Sequence, residues 1–481
     1  MILAAQDGIT GHYSGVGTLA QAHIRVLART AHACEVLFGT ALVVSTVTPL
    51  RQRPTHAYDP HILAASRRIC RSTGGDVVLV EDGDPHGHWI GLPAWRAASS
   101  AAAEAALRRQ LEAEAAHNQP VDLAVVAVDV PFAGTASQVL LASTPTRGER
   151  TAIFTPQSTA ADQASGKSEA LDEVRHDWEL GCAHDALASG AHVGAASPYA
   201  FSHLARAWGL EAEALTPHLV GLDPSAGRYN ISVPEVARIL RNNGLPIDRP
   251  LLVSMGRAEP EKSLDTLLRV DRRVLGNAVR VVVAGLYSPR DAPIAESNRD
   301  VVRRLRRLAA RDSSSVLILG FDASLGAALL AWPGTMVTLV PSRSEPLGIL
   351  GLEARFLARP RRGHGHGATL MLADTPGLVD HAQGIDGVAS MSESNGLAGV
   401  DVVDMHAPNG IAALNNAVDS ALHRTPMLRR QMRMDAAATL DPYLLSHSLP
   451  RLLALLLPRI VIDPRAVTAH LDQVAPEIRQ P

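Results

Sequence analysis

Lys262 is one of only two lysines in a 481-residue chain that is otherwise rich in arginine, the other being Lys167. It completes the run Gly256-Arg257-x4-Lys262, directly after the apolar stretch Leu251-Leu-Val-Ser-Met255. Arginine can fork onto two oxygens of a phosphate and lysine adds a compact charge, so the pair suits a departing diphosphate. A lysine kept where arginine is the default cation invites a chemical role. Two carboxylates, Glu345 and Glu353, lie eight residues apart in P-S-R-S-E-P-L-G-I-L-G-L-E-A-R-F, positions 341–356. A retaining glycosidase needs two carboxyls about 5 Å apart. On a helix this pair stands more than two turns apart and cannot do that work.

The elements around these residues read as strand, turn and helix. Thr335-Met-Val-Thr-Leu-Val340 has the composition of a buried parallel strand, and Pro341 ends it. The spacing of Leu347, Ile349, Leu350, Leu352 and Phe356 predicts a helix whose first turn holds Pro346. Glu345 then lies at the helix mouth and Glu353 about two turns in. Gly348 permits close backbone approach, and the amides of Leu347, Gly348, Ile349 and Leu350 would be left free to meet an anion.

With its flanking P-S-R-S, the stretch E-P-L-G-I-L-G-L-E resembles the E-x7-E signature of retaining GT-B glycosyltransferases, most closely glycosyltransferase family 4. The resemblance is strong over residues 250–425 and looser over 1–220. It implies that Glu345 meets the donor sugar's hydroxyls, Glu353 the nucleotide ribose, and the intervening amides the diphosphate and sugar. Gly256, Arg257 and Lys262 match the family's G-R-x4-K phosphate motif, and Gly320-Phe321 the loop that reads the base. Thr375-Pro-Gly-Leu378 matches a turn after the following strand. Gly15-Val16-Gly17, after His12, resembles the glycine-rich loop that faces the donor diphosphate. Relatives often carry a His-Asp pair after the fourth main strand. Here Val128-Asp129 keeps the Asp and lacks the His, with Gln157 after the next strand and His12 as a candidate substitute.

Composition is ordinary globular, with 46% hydrophobic and 19% charged residues, and a formal charge of −3 provides no general field for nucleic acid or anionic membrane. Cys34, Cys70 and Cys182 show no metal spacing and suit a reducing cytosol. The N-terminus runs almost directly into a strand, and Leu452–Ile462 is broken by Pro458-Arg459. A cytoplasmic protein without integral membrane contact is expected. The arginine and alanine bias suggests a GC-rich, actinobacterial-like genome. Asp82-x-Asp84 reads as turn chemistry before a hairpin arm at Trp89-Ile90, and His364 and His366 as a solvent-exposed glycine-rich loop. Neither is expected to hold metal.

In chain order, strands are expected at 1–5, at Cys34–Phe38 or Ala41–Val47, and at 76–80, 123–128 and 151–155. The strand at Val193 is expected to be the last of the first half. Helices are expected at 97–116, within 162–190, and through Trp208. The second half restarts at Pro250 with strands at 279–284, 316–320, 335–340 and 368–373, and helices at 264–275, 299–310 and 410–423. The fold expectation is α/β: GT-B, two Rossmann-like doubly wound domains facing across a cleft. Residues 1–222 would bind the acceptor, 223–249 form a linker, 250–439 bind the nucleotide sugar, and 440–481 return as helices to the first domain. The activity expected is retaining, metal-independent hexosyl transfer from a nucleotide sugar to a small-molecule hydroxyl, with no bound cofactor and the oligomeric state open. Catalysis would rest on Glu345, Arg257 and Lys262, with His12 and Asp129 on the acceptor side. A GT-B nucleotide-sugar 2-epimerase or a non-catalytic nucleotide-sugar-binding protein are the alternatives.

Overall fold

Side chains alternate along the first unit's strands: Leu123, Val125 and Ala127 enter one core, Ala124, Val126 and Val128 the other, and Ile153 and Phe154 part in the same way. Strands buried on both faces form an all-parallel sheet covered by helices. The computed structural model describes residues 1–5, 9–10, 15–49, 59–80, 91–157, 159, 169–218, 221–285, 296–320, 322–357, 368–383, 399–460 and 462–474. Two units result, Met1–Pro224 with Tyr443–Pro481, and Ser225–Pro442.

The first unit runs β1 (Ile2–Ala4), α1 (Gly15–Phe38), β2 (Ser45–Pro49), α2 (Pro60–Arg71), β3 (Val77–Val80), α3 (Leu92–His117), β4 (Leu123–Val128), α4 (Thr135–Leu141), β5 (Arg150–Thr155), α5 (Glu169–Ala188), β6 (His192–Ala195), α6 (Pro198–Trp208) and β7 (Leu215–Pro217). The second runs α7 (Val233–Asn242), β8 (Leu251–Arg257), α8 (Asp265–Leu268), α9 (Arg272–Leu275), β9 (Val279–Gly285), α10 (Glu296–Ala309), β10 (Ser315–Leu319), α11 (Ala323–Ala331), β11 (Thr335–Val340), α12 (Ile349–Leu357), β12 (Thr369–Ala373), α13 (Pro376–Gln383), β13 (Val400–Val403), α14 (Gly410–His423) and α15 (Pro426–Ala438). The chain then returns to the first unit with α16 (Leu445–Leu456) and α17 (Pro464–Val474). The sheet orders are β3-β2-β1-β4-β5-β6-β7 and β10-β9-β8-β11-β12-β13, with parallel pairing throughout. Both carry the doubly wound order in which the chain reverses direction beside its first strand.

In the first unit, Leu445, Leu449, Leu452, Leu453, Val467 and Leu471 of α16 and α17 bury themselves with Ile24 and Leu27 of α1 on one face of the sheet. Ala-rich α3 covers the other face together with Phe132, Phe154 and Trp208. Small alanine side chains let that helix approach the strands closely.

Several expectations are corrected. Cys34–Phe38 is the end of α1, because Cys34 is one of the helix's core-facing positions and not part of a strand. The first sheet gains β7 after Val193's strand. Residues 264–275 form two short helices, with Asp271 capping the second through the Arg273 amide. Stretch 223–249 is not a free linker. Val236, Leu240 and Leu245 sit in the core beneath β8 and β9, so α7 is an integral layer of the second unit. Ser232 caps that helix through the Glu235 amide.

Candidate active site

In the second sheet the reversal lies between β8 and β11, which pair as neighbours. Ligands of doubly wound sheets bind outside the strand C-termini at that point. β8 ends there in Gly256-Arg257, and β11 ends there at Val340.

Glu345 lies in the loop between β11 and α12. Its Oε1 accepts hydrogen bonds from Lys262 Nζ at 2.5 Å and Ser342 Oγ at 3.0 Å. The Lys262 and Glu345 side chains are 13% and 16% exposed, so water screens the ion pair only in part. The loop is held from several sides. Thr375 Oγ1 donates to the Ser342 carbonyl at 2.8 Å, and His406 Nε2 to that of Pro341 at 2.9 Å. The Arg343 amide donates to the Glu261 carbonyl at 2.8 Å and Arg343 Nε to Ser263 Oγ at 3.1 Å, tying the loop after β8 to the loop after β11. Gly377, in the first turn of α13, approaches so closely that a Cβ there would stand 1.4 Å from the Glu345 carbonyl oxygen. Only glycine fits.

Arg257 Nη1 donates to Glu259 Oε1 at 2.9 Å. Burial pushes the Glu259 carboxyl up to about 7; Arg257 opposes the shift and the neighbouring Glu261 carboxyl adds to it. Glu259 therefore titrates beside the arginine near neutral pH.

Helix α12 begins at Ile349, not in the turn holding Pro346. Gly348 precedes it at φ +63°, a left-handed conformation that favours glycine and keeps Pro346 outside the helix. Glu353 is the fifth residue of α12, one turn in and not two. Among the described residues none accepts a hydrogen bond from the amides of Leu347, Gly348, Ile349 or Leu350. The first amides of a helix have no intrahelical partner, and the dipole makes this end favourable for an anion.

Glu353 has its own partners. Its Oε1 accepts from Tyr229 OH at 2.6 Å and from Arg228 Nη2 at 2.9 Å. Neither donor stands out in the sequence, where both fall in a stretch of linker-like composition. The one signal available there is a Tyr in a chain holding six. Gly320 follows β10 at φ +137°, two strands from β8, and its amide donates to the Ala284 carbonyl at 3.0 Å. Phe321 lies outside the described residues.

The first unit has a reversal of its own between β1 and β4. Asp129, immediately after β4, adopts φ +66°. Such a backbone in a non-glycine residue costs about 1–3 kcal/mol and tends to occur at functional positions. Gln157 follows β5 and is buried. Thr155 Oγ1 and His218 Nδ1 are 2.7 Å apart, and the His218 ring meets His23 edge-on at 5.7 Å. Burial lowers the pKa of His218 to about 3 and of His23 to about 4, so both rings are neutral. This histidine pair was not legible from spacing, since 195 positions separate His23 from His218. Gly15, Val16 and Gly17 form the first turn of α1 and not the expected loop. His12, Lys167, Asp82, Asp84, Trp89, Ile90, His364 and His366 lie outside the described residues.

No family model matches the chain. A D-inositol 3-phosphate glycosyltransferase of Kineococcus radiotolerans is 29% identical over 216 residues, 42% of this chain and 45% of that protein. A glycogen synthase of Paracoccus denitrificans is 32% identical over 149 residues, 31% of this chain and 27% of that protein. The aligned part of the chain thus spans less than half the length of these curated relatives. Among solved structures, sucrose-phosphate synthase from Thermosynechococcus elongatus superposes with a TM-score of 0.61 over 99% of this chain and 98% of that one, at 16% identity. The fold is GT-B. Among the described residues no helix is long and apolar enough to cross a membrane.

Proposed function

We propose that the chain is a retaining glycosyltransferase that binds a nucleotide sugar in its second unit and transfers the sugar to a hydroxyl of a small-molecule acceptor. The observation that carries this reading is the 2.5 Å Lys262–Glu345 pair at the β8/β11 reversal, next in the chain to the open amides before α12. A nucleoside diphosphate supplies the anion those amides and Lys262 can hold. On donor binding, Lys262 and Arg257 turn to the diphosphate while Glu345 takes hydroxyls of the sugar. In the reaction the bond from the anomeric carbon to the diphosphate breaks and its electron pair leaves with the diphosphate. The acceptor oxygen forms the new bond on the same face, and its hydroxyl proton passes to the departing diphosphate oxygen. Once turned to the leaving group, these cations and the open amides supply the stabilisation a divalent metal would otherwise give.

Acceptor binding is assigned to the first unit around Asp129 and Gln157. The relatives' names, which include an inositol 3-phosphate enzyme and a sucrose-phosphate synthase, make phosphorylated polyols and sugars the first acceptors to try. The test is incubation of UDP-, ADP- and GDP-sugars with pools of sugars, sugar phosphates and inositol phosphates, read by mass spectrometry. An acceptor carrying one added sugar, formed only with active protein, supports the reading. An isomerised free sugar nucleotide would make the protein an epimerase. Binding without turnover across the whole panel would make it a non-catalytic binder.

A further inference from the structure

The two donors on Glu353 share one of its oxygens. Tyr229 OH and Arg228 Nη2 both reach Oε1, and Arg228 Nη2 also donates to Tyr229 OH at 2.7 Å, closing a triangle. The Arg228 guanidinium lies 4.7 Å from the Tyr229 ring centroid, and that ring packs on Phe356 at 5.2 Å. Phe356 is three positions beyond Glu353 on α12, so one tyrosine grips the same helix face through its ring and its hydroxyl. Tyr229 is 3% exposed. Burial and the Glu353 charge both raise its pKa well above the ordinary phenol range, so it remains a donor. The turn Gly227–Tyr229 that carries both residues is seated between buried Ala226 and Ile231, which packs on the second unit's core.

We infer that Arg228 and Tyr229 are positioning residues of the donor site, which fix Oε1 of Glu353 so that Oε2 stands ready to accept the ribose hydroxyls. No described residue donates to Oε2. A carboxylate free to rotate would spread its charge over several geometries, whereas one held by two donors presents a single direction and loses less freedom on binding. The clip also keeps a half-buried charge satisfied before any ligand arrives, and that is its structural contribution. The two contributions can be told apart, because only positioning should change discrimination between a ribose and a deoxyribose. This inference rests on the donor-site reading above.

The experiment is calorimetric titration of UDP, ADP and GDP, with the tightest binder then compared with its 3′-deoxy counterpart, on wild type, Tyr229→Phe and Arg228→Lys. Wild type should favour the ribonucleotide about tenfold or more, the scale of a hydrogen bond to a charged group. Each variant should cut that preference at least threefold while still folding by thermal melt. If Tyr229→Phe does not fold, Arg228→Lys decides alone, since it keeps the charge and the aliphatic stem. Full wild-type preference in the folded variants would overturn the positioning role and leave the donor-site reading intact. Nucleotide binding with no ribose preference in wild type would overturn the ribose role of Glu353 and the inference with it, while no binding of any nucleotide would overturn the donor-site reading itself.

Discussion

Replacing Lys262 by alanine removes the strongest contact in the candidate site. Among the described residues Glu345 Oε1 would keep only Ser342 Oγ as a partner, in surroundings where its side chain is 16% exposed. Loss of one hydrogen bond to a charged group costs about 1.5–3 kcal/mol, so a fall in stability of that order is expected. The larger effect should be on rate. If Lys262 meets the diphosphate, its charge matters most as the leaving group separates, so kcat should fall while KM changes little. Removing one preorganised charge stabiliser costs about 10²-fold or more in kcat. Lys262→Arg should restore activity only in part, because a longer planar fork cannot place its charge where an ammonium stood. The matched control is Lys167→Ala, which removes the chain's other lysine. A stability cycle with Lys262→Ala, Glu345→Gln and the double variant separates the pair's structural coupling from its catalytic use. Initial rates at saturating donor and thermal melts supply both readouts. Small and equal effects at Lys262 and Lys167 would refute the reasoning.

Three other perturbations follow from the same geometry. Gly377→Ala should destabilise the second unit by about 3 kcal/mol or more, because its Cβ would overlap the Glu345 carbonyl and the backbone would have to shift; an unchanged melt would show that the turn yields freely. Glu259, raised in the fold from 4.5 to about 7, favours the folded state fully below pH 4.5, and that contribution is lost as pH rises through 7. Stability measured by denaturant titration should therefore decline from pH 5 to 8 more steeply in wild type than in Glu259→Gln, and parallel curves would remove Glu259 as the cause. Turnover should survive exhaustive chelation, and activity abolished by EDTA and restored by Mg²⁺ or Mn²⁺ would reverse the metal-free mechanism.

Much of the fold was legible because its signals are local. Runs such as Leu123–Val128 and Thr335–Val340 are too apolar and too short for anything but buried parallel strands, and their alternation with helices leaves few topologies. Lys262 and Glu345 stand 83 positions apart, yet each occurs just beyond a strand, and doubly wound topology brings such ends together. What escaped the sequence depends on tertiary contact. Pro346 signals a helix start, but Gly348 takes a positive φ and postpones the start to Ile349. Arg228 and Tyr229 sit among Gly, Ser, Pro and Asn, a composition that describes a linker and a packed clip equally well. Their role depends on α12, more than 100 positions away. Cys34–Phe38 has strand-like residues, and only the burial of Cys34 against the sheet shows that α1 continues through it. Asp129 could be located by position, but its φ of +66° is a property of the folded loop alone.

The central claim is tested most directly by the anomeric configuration of the product. Proton NMR of the purified glycoside, taken early in the reaction before any anomeric exchange, reads it through the coupling constant of the anomeric proton. An α-linked nucleotide sugar should yield an α-glycoside in wild type and no glycoside in Glu345→Ala. A β-glycoside from that donor, or undiminished product from Glu345→Ala, would contradict the account.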